Sequence, residues 1–490
     1  MDSSSIAALR RPNPWVALAL IVAAQFMVVL DISIVNVALA TIKTDLRFSE
    51  ASLQWVISAY AIVFGGFLLL GGRLADLFGR RRIFVAGIAL FTVASALSGL
   101  AWSSGSLVAF RGLQGLGGAL FAPAGLSLLM TTFREGRERN LALGIWGAAS
   151  GSGAAVGVLL GGVLTSYLSW PWVFYINVPV GLALVLLVPR QLAESRAEGT
   201  SRHFDVAGAS TVTASLMLLV YALTRATQNG WASVSTVSLL AAAAALAAAF
   251  VAIERRAESP LLPFEVFRGT TLGVANLITA IIASIAFSQF FLLTLYLQQV
   301  LHYSAARSGL AFTAIAGTVA VTSNVAQRFV TRFGPRRVLA TGLIFAAASE
   351  ALLTRLPVHG HYVTDLLPSF LLIGLGMGIS FVAVTIAALA GVPGRDAGIA
   401  SGLVNTSRQV GGAIGLAAVT TIATTYGRSH SAVLSAAATT HGYRVAFGTL
   451  AVLALGAAAL TATMRVAHRN EPAAATVPAT DHLEPIREAA

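Results

Sequence analysis

Two stretches, RLADLFGRRR at residues 73–82 and RFVTRFGPRR at 328–337, decide how the rest of the chain is read. They align without a gap. Arg73 meets Arg328, Phe78 meets Phe333, Gly79 meets Gly334, and Arg81 and Arg82 meet Arg336 and Arg337. Each lies between two long apolar runs, and each follows a helix running in the same direction, so the repeat is parallel. Arg73 and Arg328 stand 255 residues apart in a chain of 490. Two halves of about 190 residues each then leave an extra piece of about 65 between them.

The composition explains why the repeat unit is helical. Hydrophobic residues make up 56% of the chain and charged residues 11%, with a mean hydropathy of +0.79. A soluble domain carries about 25% charge. The apolar runs exceed the ~10–14 residues of a buried core helix and do not alternate as barrel strands do, so they read as membrane-spanning helices. The absence of cysteine excludes disulfides, thiolate metal sites and a cysteine nucleophile. The net charge of +12 is read as basic loops on one side of a membrane, not as a nucleic-acid footprint. The first apolar run follows Arg10 and Arg11 and is too long for a cleavable signal; it reads as the first span.

Fourteen spans are expected: 14–39, 52–72, 82–101, 106–130, 141–167, 172–189, 206–224, 234–253, 272–298, 308–328, 338–356, 365–391, 399–425 and 443–464. With the N-terminus in the cytoplasm, most arginines fall at inside ends. Lys43, Arg47, Arg225, Arg307, Arg355, Arg428 and Arg444 fall outside, and Arg111 and Arg408 lie within spans. This bias is the positive-inside rule, and an even count puts both termini in the cytoplasm. The expected architecture is an all-α integral membrane protein of six plus two plus six helices. Its parts are a six-helix bundle at 1–189, two inserted helices with linkers at 190–268, a second six-helix bundle at 269–466, and a disordered cytoplasmic tail at 467–490. PLLPFEVFRG, residues 260–269, reads as an interfacial segment before the ninth span.

The loop at 72–82 carries an acid inside a basic run, which a plain positive-inside loop does not need. It resembles the loop of the major facilitator superfamily, G-x-L-A-D-R-x-G-R-R/K-R/K, through Gly72, Asp76, Gly79, Arg80, Arg81 and Arg82. Leu77 replaces the usual arginine after the aspartate. In that family the loop acts as a latch on the cytoplasmic side during alternating access, which is the role the resemblance implies here. LDISIVNVALATI (30–42), RGLQGLGGALFAPAG (111–125), WPWVFYINVPVG (170–181) and AGIASGLVNTSRQVGGAIG (397–415) resemble the branch of drug:proton antiporters with fourteen spans. GSGAAVGVLLGG (151–162) resembles the fifth-helix motif of those antiporters, with Val158 in place of its proline. Gly153, Gly157, Gly161 and Gly162 keep the small-residue spacing that permits close helix packing.

Asp31 sits in the middle of the first apolar run, where a charge costs at least ~2.5–3.5 kcal/mol. It lies roughly 18 Å along the helix from Lys43, and Arg111 lies some 8–10 Å inside the outer end of the fourth span. In the superfamily that the chain resembles, helices one and four line the cavity, so Asp31 and Arg111 are expected to face it and to interact. Arginine keeps its proton, which leaves the aspartate as the titratable, proton-coupling member. Gln114, Trp146, Gln289 and Phe290 are candidates for the substrate cavity. Asn405 and Arg408 are read as a brace between helices or a coupling element. Glu350 is expected near the outer interface and hydrated.

No Walker lysine or phosphate-cradling loop is present, and GLQGLGG lies within a span. The histidines show no metal spacing. No enzyme activity, cofactor or metal is therefore expected. The expectation is a monomeric secondary transporter in the bacterial inner membrane that exports small amphipathic or cationic drugs or antibiotics in exchange for protons, driven by the proton gradient. The alternative is an importer of a small solute with the same fold.

Overall fold

The computed structural model describes residues 13–464 except 49, 54, 197–204, 258–259, 261, 263, 268–270, 393–395 and 430–435. The expected tail at 467–490 lies outside the described residues. Every regular element among the described residues is helical, which is how an apolar chain satisfies its backbone without water.

Fourteen long helices occur among the described residues. In the first half they are α1 (Pro14–Asp45), α2 (Trp55–Phe78), α3 (Arg80–Gly99), α4 (Ser104–Thr132), α5 (Arg137–Tyr167) and α6 (Asn177–Gln191). Then come α7 (Val206–Asn229) and α8 (Val234–Glu254). The second half has α9 (Leu272–Leu295), α10 (Ala305–Phe333), α11 (Pro335–Leu353), α12 (Leu367–Leu389), α13 (Ala397–Ser429) and α14 (Ala436–Leu460). Local chemistry sets several starts. Asn13 caps α1 by accepting from the Trp15 N–H at 2.9 Å, with Pro14 in the first turn where its missing N–H is harmless. Ser103 and Ser106 form a reciprocal capping box at α4.

Twelve helical segments among the described residues are long and apolar enough to cross a membrane. The expectation was fourteen. The two helices outside that number are α5 and α11. In α11 the exposed Arg336 and Arg337 of the first turn, together with Glu350, hold the mean hydropathy down.

Helix pairing repeats between the halves. α1 packs on α5, α2 on α4, and α3 on α4 and α6; correspondingly α9 packs on α13, α10 on α12, and α11 on α12 and α14. The halves meet through α5 against α10 and α12, and through α2 and α4 against α13. The α7–α8 hairpin packs on the outside of the α2–α13 contact. In PLLPFEVFRG, a short turn at Phe264–Phe267 tucks Val266 into the core. Thus α5, like α4, touches both Asp31's helix and the opposite half.

Candidate functional site

Asp31 is completely buried, and so are the groups around it. Arg111 Nη1 donates to Asp31 Oδ2 at 2.7 Å. Gln114 Nε2 donates to Asp31 Oδ1 at 2.7 Å and Asn177 Nδ2 to the same oxygen at 3.0 Å. Arg111 Nη1 also donates to Gln114 Oε1 at 2.7 Å, and its Nε to the Val56 carbonyl at 3.0 Å. Ser95 Oγ accepts from Gln114 and Asn177 at 3.2 and 3.1 Å and donates to the Phe174 carbonyl at 2.9 Å. The guanidinium lies 4.4 Å from the centroid of the Tyr60 ring. Helices α1, α2, α3, α4 and α6 each supply a member. Three N–H donors converge on the carboxylate, which is the complement of its ionised form. Removing one partner of such a buried pair typically costs about 3–5 kcal/mol.

The structure thus brings Asp31 and Arg111 together but seals them off. Gln114, a cavity candidate by sequence, is 0% exposed and belongs to this network. Asn177 and Ser95 were not singled out from sequence. Asn177 sits inside the quoted WPWVFYINVPVG stretch, a polar residue in an apolar span, and that was the available signal.

The glycine face of α5 grips α1 around Asp31. A Cβ at Gly153 would lie 3.0 Å from Val29, one at Gly157 would run into Ser33 Oγ, and one at Gly161 would lie 2.8 Å from the Ile34 carbonyl. Gly162 is buried beside Gly161. With Val158 in the proline position, α5 runs as one uninterrupted helix. On its other faces Asn140 Nδ2 donates to Thr331 Oγ1 at 3.3 Å, and Cβ atoms at Gly144 and Gly147 would sit 3.0 Å from Gln327 and 3.2 Å from Val382.

The 72–82 loop closes the arginine-rich side. Gly79 turns the chain at φ 111, a conformation that favours glycine. Arg80 grips Asp76 with one edge of its guanidinium, Nε at 3.0 Å and Nη2 at 2.7 Å from Oδ1. The backbone N–H of Arg81 donates to Glu194 Oε1 at 3.1 Å, and the Arg81 and Arg82 side chains approach Glu194 at 3.8 and 3.7 Å. Arg73 is within electrostatic reach of Asp76, Glu254 and Asp396. Across the halves, Gly72 and Gly398 touch so closely that a Cβ on either would strike the other helix or Asp76. Glu194, Glu254 and Asp396 were invisible as partners in the sequence because they come from distant turns.

The other candidates separate. Trp146 is buried on α5, and Arg408 on α13 lies over its ring at 5.0 Å and over Phe381 at 5.4 Å. Asn405, also buried, donates to the Ser401 carbonyl of its own helix at 2.9 Å. Gln289 donates to Met377 Sδ at 3.2 Å and lines a cavity of about 20 Å³ within the second half, between α9, α11 and α12. Phe290 packs against Phe312 with tilted rings 5.3 Å apart, also within that half. Glu350 departs from expectation. It is 0% exposed, and neither carboxylate oxygen has a hydrogen-bond partner among the described residues. The reason is packing: Glu350 falls in register with the buried Leu343 and Ala347 on α11, which packs on α12 and α14. Among the described residues no group of three or more His, Asp or Glu could hold a metal ion.

Comparison with known proteins places this geometry in context. The family model described as Major Facilitator Superfamily matches residues 21–416. The chain is 42% identical over 471 residues to the puromycin resistance protein pur8 of Streptomyces alboniger, covering 94% of this chain and 92% of that protein. It is 39% identical over 473 residues to the cephamycin export protein CmcT of Amycolatopsis lactamdurans, covering 96% and 95%. The fold is similar to that of the human organic anion transporter MFSD10 (TETRAN), with a TM-score of 0.67 at 14% identity over 92% of this chain and 100% of that one.

Proposed function

The chain belongs to the major facilitator superfamily, and on that premise we propose that it exports small amphipathic drugs or antibiotics in exchange for protons. The observation that carries this reading is the Asp31 network and its grip by α5. The three groups hydrogen-bonded to the carboxylate all donate to it, so in this arrangement they offer a protonated Asp31 no acceptor. Proton uptake therefore demands rearrangement of the network. Because Gly153, Gly157 and Gly161 hold α1 against α5, and α5 meets the opposite half, that rearrangement shifts one half against the other. This is the coupling that rocker-switch alternating access requires. The Asp76 loop and the Gly72–Gly398 contact are the cytoplasmic latch in its closed position.

The direction of transport is supported by relatives named for antibiotic resistance and export. The finer architecture belongs to the same proposal: α5 and α11 are the remaining two spans, the arrangement is six plus two plus six, and both termini are cytoplasmic in the bacterial inner membrane. The mirrored helix pairing supports it. The protein acts as a monomer without a cofactor, and the proton gradient is the energy source, about 2.3 kcal/mol per charge per 100 mV. Import of a small solute is the second reading, favoured by the unbroken α5 at Val158.

The test uses inverted vesicles with an acid interior and a pH-sensitive dye. Drugs such as puromycin are expected to release protons from vesicles carrying the wild type and not from those carrying Asp31→Asn. Absence of release from both sinks the export reading for the compounds tried. Equal release from both leaves export standing and makes Asp31 structural.

A further inference from the structure

Arg408 is a further cation inside the helix bundle, partly buried, and among the described residues no carboxylate pairs with its buried nitrogens. Its Nε and Nη2 are buried and have no hydrogen-bond partner among the described residues. Its ring contacts, Trp146 at 5.0 Å and Phe381 at 5.4 Å, supply apolar and π surface but no acceptor. One helical turn further along α5, Ser150 Oγ donates to the Trp146 carbonyl and accepts from Gln25 Nε2 at 3.1 Å. That leaves Gln25 Oε1 buried and unpartnered as well. Orphan donors on the second half thus lie against the Trp146 ring, and an orphan acceptor on the first half is tied through Ser150 to the same stretch of α5.

Depth places this cluster. From their arginine-rich ends, Gln25, Trp146, Phe381 and Arg408 all lie ~12–16 Å along their helices. A bilayer core is about 30 Å thick, so this is the midplane. The cluster also lies where the halves meet, since Trp146 is on α5 and Arg408 and Phe381 are on α13 and α12. Buried donors without partners are costly, so their retention at the midplane between halves calls for a ligand.

The two orphan nitrogens specify its chemistry. Nε–H and one N–H of Nη2 are parallel and share an edge of the guanidinium, the fork that takes a carboxylate in bidentate fashion. The same edge of Arg80 is what holds Asp76 in this protein. We propose that the Nε–Nη2 edge of Arg408 anchors the substrate, and that the substrate it takes is an amphipathic acid: a flat ring system against Trp146 and Phe381 bearing a carboxylate. Gln25 Oε1 accepts from a neutral N–H or O–H elsewhere on the molecule. This deepens the export reading and rests on it only in calling the ligand a substrate. It selects against purely cationic compounds, because Arg408 repels them at short range in a low dielectric.

The test is equilibrium binding to the full chain in phosphatidylcholine nanodiscs, corrected with empty nanodiscs. Three probes share a ring and differ in head group: 2-naphthylacetate, its primary amide, and 2-naphthylethylamine. The wild type is expected to bind the acid about tenfold or more tighter than the amine, and Arg408→Gln to weaken the acid by a similar factor while moving the amide and amine by less than about twofold. Arg408→Lys keeps the charge without the fork and should recover part of the loss. An equal loss for all three probes means that Arg408 is only a brace and overturns the proposal. So does an amine that binds as well as the acid, or no saturable binding of any probe. The ranking on the wild type stands as a test even if Arg408→Gln fails to fold. If the ranking holds while vesicles show no drug-driven proton release, export falls and the acid site remains. The converse result removes the acid site and leaves export.

Discussion

Asp31 in the first half and Glu350 in the second are both fully buried acids, and the two halves treat them in opposite ways. Asp31 in the first half receives three side-chain donors from α4 and α6. Glu350 in the second half receives none among the described residues. The repeat makes the contrast sharper. At the spacing that superposes Arg73 on Arg328, Glu350 falls on the position of Ser95. Ser95 is the hydroxyl that ties Gln114 and Asn177 together. One half thus builds a charge network from fixed donors, and the other buries its acid at the equivalent place without a hydrogen-bond partner among the described residues. Pseudo-symmetry of the backbone does not carry over to the chemistry, because a network needs all its members and one missing donor makes it a liability.

Breaking the first network should give the largest effect. Arg111→Leu leaves Asp31 as an uncompensated buried charge, so unfolding in detergent should ease by about 3–5 kcal/mol, with drug-driven proton release lost. Thermal unfolding and the vesicle assay check both. A stable, active Arg111→Leu protein would mean that Asp31 is not held as a charge.

The next effect tests the grip rather than the charge. Gly157→Val drives a side chain into Ser33 and should cost about 1–3 kcal/mol by overpacking, with transport lost while Gly153→Ala, which meets Val29 less closely, retains part of it. A smaller effect is expected at the 72–82 loop, if it acts as the proposed latch. Asp76→Asn weakens the bond to Arg80 and should raise maleimide labelling of Ser401→Cys from the cytoplasmic side. The wild type has no cysteine to interfere.

The smallest effect is at Glu350. Glu350→Gln replaces an acid that no donor holds, so stability should stay within about 1 kcal/mol of the wild type, and proton release should persist. If Glu350→Gln instead abolishes proton release, the contrast between halves is reversed in function, and the second half carries the exchangeable proton.

Much of the fold was legible in the sequence. The paired loops at 73 and 328 revealed the repeat, and long apolar runs revealed helices, because the bilayer leaves few options to a backbone. In α11, Arg336, Arg337 and Glu350 lower the hydropathy of a helix that nonetheless packs like its counterpart α3 in the first half. Within the site, Asp31 and Arg111 announced themselves as charges in apolar runs. Asn177 and Ser95 did not, since lone polar residues in a span are ordinary.

What the sequence determined by itself was set by the solvent: helices, their direction, and the side that carries arginine all follow from one chain meeting one bilayer. Which charges find partners was decided by tertiary structure alone. Glu194, Glu254 and Asp396 reach the 72–82 loop from distant turns. Arg408 and Glu350 look no different from Arg111 and Asp31 as letters in apolar runs. A hydrogen bond is satisfied or left open by a few tenths of an ångström between helices far apart in the chain, and only their packing fixes that distance.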